Sequence, residues 1–192
     1  MSASKALASR RIQDYRYFVV YQTNWNDNDQ YSHLNNSVYN FLFDTVINKY
    51  LVEHAGIDPS PVREGKRGES PIGLVVESHA AFFRSLGFPN RLLLAMKVVK
   101  IGQSSVQYEV GIFGPLKAAA SGFDRTSNLV IDPRDAEVWA DSLDEQTVAV
   151  VGGFTHVFVD KEKRKSLKQL PESLRAALDR LVVQPSRQEA RL

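Results

Sequence analysis

The 192-residue chain has no cysteine, which removes disulfides, thiolate metal sites and a cysteine nucleophile together and fits an intracellular compartment. Histidine is scarce. The four, His33, His54, His79 and His156, lie far apart without a spacing such as His-x-x-x-His, so no metal site and no cofactor is expected. Nor is there an excess of one charge: 24 basic against 22 acidic residues leave a formal +2, too little for a nucleic-acid partner. No run approaches the roughly 18 apolar residues of a membrane span, and the first residues lack the apolar centre of a secretory signal. Repeats and low-complexity tracts are absent too. What remains is the composition of a soluble globular protein, 43% hydrophobic, long enough to close one core unaided.

The expected organisation is a single domain over residues 14–182, with an N-terminal tail over 1–13 and a C-terminal tail over 183–192. The first eleven residues are rich in Ala and Ser, carry Lys and Arg and have no acid. A short mitochondrial presequence shares that composition, but so does an ordinary disordered tail. Ala190-Arg191-Leu192 is similar to the Ser-Lys-Leu peroxisomal address. Three residues are a weak signal, and the cytoplasm is the default compartment.

Hydrophobic periodicity orders the elements. Tyr15 to Trp25 is aromatic and β-branched, as in a strand. From Val38 to Ala55 the period turns helical: Tyr39, Leu42, Phe43, Val46, Ile47 and Tyr50 fall on one side, Asn40, Asp44, Asn48 and Lys49 on the other, and Gly56 stands where a helix C-terminal glycine belongs. Ile57 to Ser70 reads as a loop. Ile72–Phe83, Arg91–Ile101, Ser104–Phe113 and Thr147–Asp160 read as strands, with turns at Leu86–Asn90 and Gly102-Gln103 and a bulge or bend at Gly152-Gly153. Residues 114–146 are expected to form an inserted loop or hairpin with a short strand near Glu137–Ala140, and a short helix is expected after Pro171. Strand, long apolar helix, then strands in succession is an α+β order in which an antiparallel sheet wraps around one central helix.

The stretch Asn26 to Asn36 holds four Asn, two Asp and one His where strand meets helix. One reading is structural: Asp29 an Asx-turn residue, Asn35 or Asn36 a helix N-cap, His33 a packing residue. The other is chemical. A carboxylate, an imidazole and free backbone N–H groups at a helix start can attack a carbonyl.

The run from Trp25 to Tyr39, W-N-D-N-D-Q-Y-S-H-L-N-N-S-V-Y, resembles the signature of the hotdog-fold acyl-CoA thioesterases of the 4-hydroxybenzoyl-CoA thioesterase type. There an aromatic strand end precedes Asp-x-Asp, a Gly-His-Val-Asn-Asn-like turn and a helix beginning near a Tyr. Residues 72–113 and 152–178 are similar to the family's later strands and closing helix. The resemblance implies a hotdog fold, hydrolysis of an acyl-CoA thioester, and a homodimer or dimer of dimers with the site between protomers. It gives Asp29 the place of the nucleophilic or general-base carboxylate, with His33, Asn36 at the helix start and Asp44, where many members have Glu, as further catalytic candidates. Tyr31, Asn35, Tyr39 and Arg84 become substrate-binding candidates. In two places the chain departs from the pattern: Ser32 stands where the family has Gly, and Tyr31 where the plant acyl-carrier-protein thioesterases have a catalytic Asn. For Asp44 the competing reading is an exposed stripe with Asn40 and Asn48. Lys161–Lys165, Arg84 and Arg91 are candidates for the phosphates of coenzyme A, against surface solubility for the lysine run. The alternative function is an acyl-CoA-binding or interaction protein that has lost catalysis; a hydratase on the same fold would carry a different His and acid pattern.

Overall fold

The computed structural model describes residues 3–59, 70–117, 130–131 and 136–183. The expected Ile57–Ser70 loop, the 114–146 insertion and the C-terminal tail fall partly outside the described residues, and the Ala190–Leu192 motif wholly so. In chain order come α1 (Ala3–Ala8), a 3-10 turn (Ile12–Asp14), β1 (Tyr17–Gln22), a second 3-10 turn (Trp25–Asp27), α2 (Asn36–His54), β2 (Ile72–Phe82) and β3 (Arg91–Ile101). After these follow β4 (Ser105–Phe113), β5 (Val130–Ile131), α3 (Ala136–Asp141), β6 (Val150–Val159) and α4 (Glu172–Asp179). The strands form one antiparallel sheet in the order β2-β6-β4-β3-β1-β5.

The sheet curls around α2, as the α+β hotdog reading expects. Tyr39, Leu42, Phe43, Val46, Ile47, Tyr50 and Leu51 recur at helical spacing and are all buried. They pack on the concave face of the sheet, against Leu92, Leu94 and Met96 of β3, Val106, Tyr108 and Val110 of β4, and Phe154 and Phe158 of β6. Gly152 sets the closeness of that contact, because a Cβ there would lie 2.5 Å from the Phe43 ring. Asn35 caps the helix by accepting from the Ser37 amide, and Gly56, at φ +69°, ends it in the conformation glycine adopts freely. From the far end α4 closes the same core with Leu174, Ala177 and Leu178.

The opposite face of the sheet is covered as well, and two expectations change there. Where it is described, the segment expected as a tail packs on the sheet: Ile12 is buried, and a Cβ on Gly111 would stand 2.6 Å from the Tyr15 ring. Glu137–Ala140 is not a strand but part of α3. Trp139 and Ala140 of α3, and Leu143 just beyond it, bury together against Ile12, Phe18, Leu93 and Phe113. Strands β1 and β3 are therefore apolar on both faces, with Tyr17 and Val19 turned to the helix and Phe18 and Val20 to the outer layer. At Gly152-Gly153 the strand bends: Gly153 has φ +151°, and its pairing with β4 lapses. The register slips of the sheet lie elsewhere, between Val75 and Glu77 and between Val98 and Lys100.

A buried ion cluster fastens the outer layer. Glu109 of β4 faces Lys97 of β3 across the ladder at 3.0 Å, and the same carboxylate oxygen accepts from Arg10 Nε and the Tyr15 hydroxyl, each at 3.1 Å. The Lys97 ammonium also stands 5.3 Å from the Tyr15 ring centroid. Removing Glu109 leaves the Lys97 ammonium charged and buried without its carboxylate. Glu109→Ala is therefore expected to lower unfolding stability by about 3–5 kcal/mol, measured by urea denaturation; a loss below about 1 kcal/mol would mean water reaches the cluster.

Candidate functional site

The polar stretch between β1 and α2 is a knot of hydrogen bonds in which the side chains of Asp27, Asn28, Asp29 and Asn35 each accept from a backbone amide. Asp27 Oδ2 accepts from the Asn24 amide at 2.7 Å and the Tyr21 hydroxyl at 2.9 Å, closing the 3-10 turn that ends the strand. Asn28 Oδ1 accepts from the Phe88 amide at 3.0 Å, and the Leu34 amide donates to Leu86 O at 2.8 Å. These two bonds hold the loop against the 86–90 turn. Gly87 lets them form, since a Cβ there would stand 2.7 Å from Ser32 O. Ser32, in the place of the family glycine, takes that residue's left-handed backbone at φ +64°.

Within this knot Asp29 is held from one side only. Its Oδ1 accepts from the Tyr31 amide at 2.8 Å and the His33 amide at 3.1 Å, while its own N–H donates to His33 O at 2.7 Å. The second carboxylate oxygen has no donor among the described residues. A few ångströms on, Asn35 Oδ1 takes the Ser37 amide, and Asn35 O takes the Val38 amide. Among the described residues the Asn36 amide has no acceptor, and it stands at the positive end of a 19-residue helix.

Asp29, His33, Leu34, Asn36 and Tyr39 line one wall of an open cleft of about 410 Å³, and Phe82, Phe83, Arg84 and Ser85, where β2 ends, line the other. Tyr39 meets Phe82 edge to face, ring centroids 5.2 Å apart. Burial, and next the charge of Asp29, push the Tyr39 hydroxyl up to about 12, so it stays a proton donor beside the carboxylate.

Of the candidates from sequence, Asp29, His33, Asn36, Tyr39 and Arg84 come together in this cleft. Asp44 does not: it sits on the exposed stripe of α2 and accepts from Asn48 Nδ2 at 2.9 Å. Nor do Tyr31, whose ring is 80% exposed, and Asn35, whose side chain caps the helix. Arg84 is occupied structurally as well. Its guanidinium donates to Gly114 O at 3.2 Å and Thr147 O at 2.7 Å and lies 3.5 Å from the Glu145 carboxylate, so it ties together the two ends of the 114–146 segment. Sequence reasoning misses the apolar wall of Phe82 and Phe83, whose signal is the aromatic pair at the strand end. Among the described residues no group of three or more His, Asp or Glu is placed to hold a metal ion, and no helix is long and apolar enough to cross a membrane.

Comparison with known proteins matches residues 23–178 to the family model of the thioesterase-like superfamily. The PA5185 protein of Pseudomonas aeruginosa is 31% identical, with a TM-score of 0.67 over 90% of this chain and 96% of that one. A thioesterase from Thermus thermophilus, complexed with coenzyme A and Zn, is 16% identical with a TM-score of 0.56 over 85% and 98% of the two chains. The protein SAV2348 of Staphylococcus aureus, solved in complex with CoA, is 10% identical with a TM-score of 0.61 over 92% of each chain. At these lower identities the likeness is one of fold. No curated protein matches the chain.

The left-handed serine gives the loop a testable strain. Ser32→Gly is expected to raise stability by about 0.5–1 kcal/mol by relieving its Cβ. A chemical denaturation midpoint that falls instead would show that the serine side chain holds the turn.

Proposed function

The chain belongs to the thioesterase-like superfamily, and from that premise we propose that it hydrolyses an acyl-CoA thioester in the cleft between Asp29, the start of α2 and the end of β2. The observation that carries the reading is the half-held carboxylate: two amides fix Asp29 Oδ1, its other oxygen has no partner among the described residues, and Asn36 at the helix start borders the same cleft. The CoA complexes of the Thermus and Staphylococcus proteins support the choice of carrier.

The chemistry follows from charge placement. A thioester carbonyl laid with its oxygen on the Asn36 N–H meets a donor and the helix dipole where negative charge develops in the tetrahedral state. Asp29 takes the proton of a water that adds to the carbonyl carbon, or adds itself and is released by water in a second step. Either way the C–S bond breaks, the acid departs, and the sulfur leaves as coenzyme A thiol. His33 and the Tyr39 hydroxyl stand at the cleft to orient the water or the acyl group. Asp44 lies outside the residues that line this cleft.

The proposal includes a homodimer. Among the described residues strand β2 is paired on one side only, by β6, and its 11 residues expose Leu74, Val75 and Val76 to 38%, 46% and 61%. A long apolar edge of this kind is a template for a second antiparallel copy.

Two measurements test these statements. Thiol release from short, medium, long and aromatic acyl-CoAs, free of protein thiol background in a cysteine-free chain, is expected to fall about 10²–10⁴-fold in Asp29→Asn with the fold retained. Undiminished turnover in that variant would remove Asp29 from the reaction, and wild type that binds acyl-CoA without releasing thiol would make the protein a binder. For the edge, Leu74→Lys/Val76→Lys places like charges along both copies, and light scattering should report half the wild-type mass; an unchanged mass places the interface elsewhere.

A further inference from the structure

A second cavity, of about 440 Å³, opens at the far end of the sheet from the candidate site. Strand β3 leaves the 86–90 turn, which holds the Asn- and Asp-rich loop, and reaches this end after 11 residues, about 30 Å away. Three segments wall the cavity: Ile101, Gly102 and Gln103 where β3 turns into β4, Lys168 and Gln169 in the stretch before α4, and Arg175 on α4. Backbone bonds fix these walls to one another. The Leu170 amide donates to Gln103 O at 2.8 Å, the Gly102 amide to Ser105 O at 2.7 Å and the Phe158 amide to Ser104 O at 2.7 Å. Ser104 Oγ and Ser166 Oγ lie 2.9 Å apart, and Leu170, Leu174 and Leu178 anchor the same stretch and helix in the core.

The charge of the cavity is one-sided. Lys168 and Arg175 line it, no Asp or Glu does, and among the described residues neither cation has an ion pair or a side-chain hydrogen bond. Elsewhere the basic groups are matched: Lys49 with Glu53, Arg10 and Lys97 with Glu109, and Arg84 with Glu145. Even Glu172, three residues before Arg175 on α4 and spaced to pair with it, makes no ion pair there. Two like charges facing one cavity favour an anion between them. A phosphate ester, with about −1.5 to −2 charges at pH 7, matches the pair. The planar fork of Arg175 suits two of its oxygens and the Lys168 ammonium a third. The remaining lining suits an organic body attached to the phosphate, since Gln103 and Gln169 each offer amide donors and an acceptor and Ile101 an apolar surface. The run Lys161–Lys165, four cations to one acid, ends just before Ser166 at the edge of these walls and adds to the field that draws an anion in.

We infer that this cavity is a second ligand site, taking a phosphorylated small molecule with Arg175 and Lys168 on the phosphate and Gln103 and Gln169 on the body that carries it. Two sources supply that chemistry, a free nucleotide and the nucleotide portion of a coenzyme A. The inference does not depend on the hydrolytic reading of the cleft.

Calorimetric titration of the full chain with ADP tests it, with adenosine as the phosphate-free control. Wild type is expected to bind ADP about tenfold or more tighter than adenosine, and Lys168→Gln/Arg175→Gln to weaken ADP about tenfold or more. Both side chains are exposed, so the variant should keep the wild-type unfolding midpoint. Thiol release then separates the sources, using an acyl-CoA and the acyl-pantetheine that lacks the nucleotide. A KM raised in the variant for acyl-CoA alone assigns the phosphate to the substrate's own nucleotide. An unchanged KM for both, with ADP binding lost, assigns it to a free nucleotide. ADP that wild type does not bind, or binds no better than adenosine, overturns the inference, as does a variant that binds ADP as tightly as wild type. Failure of the hydrolytic reading shows separately, as absence of thiol release from wild type, and leaves the ADP titrations to decide this site.

Discussion

The packing of α2 into the curve of the sheet is the constraint on which the molecule turns. Its seven buried side chains fill the concave face, and the depth of that contact is set by Gly152, where any larger residue would push Phe43 and the helix outward. Such a shift would move more than the core. The helix start carries the free Asn36 amide and Tyr39, and the strands it rests on carry Phe82 at the other wall, so the width of the cleft is fixed by apolar packing further along the helix.

The Asn- and Asp-rich stretch shows why a structural and a chemical reading need not exclude each other. Asp27 and Asn28 spend their side chains on the fold, closing a turn and binding the 86–90 segment. Asp29 does the same with one oxygen and has the other to spare. A carboxylate pinned in this way loses little freedom when a substrate arrives, which is the condition for orienting a reaction.

Much of this was legible in the sequence because the signals are local. The helix period from Tyr39 to Tyr50, the glycine after it and the four long β-rich runs each depend on neighbours in the chain. Asp29, His33, Asn36 and Tyr39 likewise span one turn and one helix start. What escaped depends on distant partners. Val138-Trp139 has the look of a strand, yet Trp139 and Ala140 lie in a helix and, with Leu143 after it, pack on a surface made by residues from Ile12 to Phe113. Arg10 is ordered by Glu109, ninety-nine positions away, which no reading of the N-terminal composition could supply. Asp44 misses the cleft for a simple geometric reason. Five residues past Tyr39, it is turned about 140° around the helix axis from the side that faces the site.

The outer layer over β1, β3 and β4 has a consequence for how copies of the chain can be arranged. The N-terminal segment and α3 occupy that surface themselves, with Ile12, Tyr15 and Trp139 filling it and the Glu109 cluster fastening it. Among the described residues, that face of the sheet therefore offers no bare apolar surface for another copy to stack on. Exposed rings remain instead on the helix side of the sheet, at Phe41 of α2 and Tyr31 of the loop that leads into it.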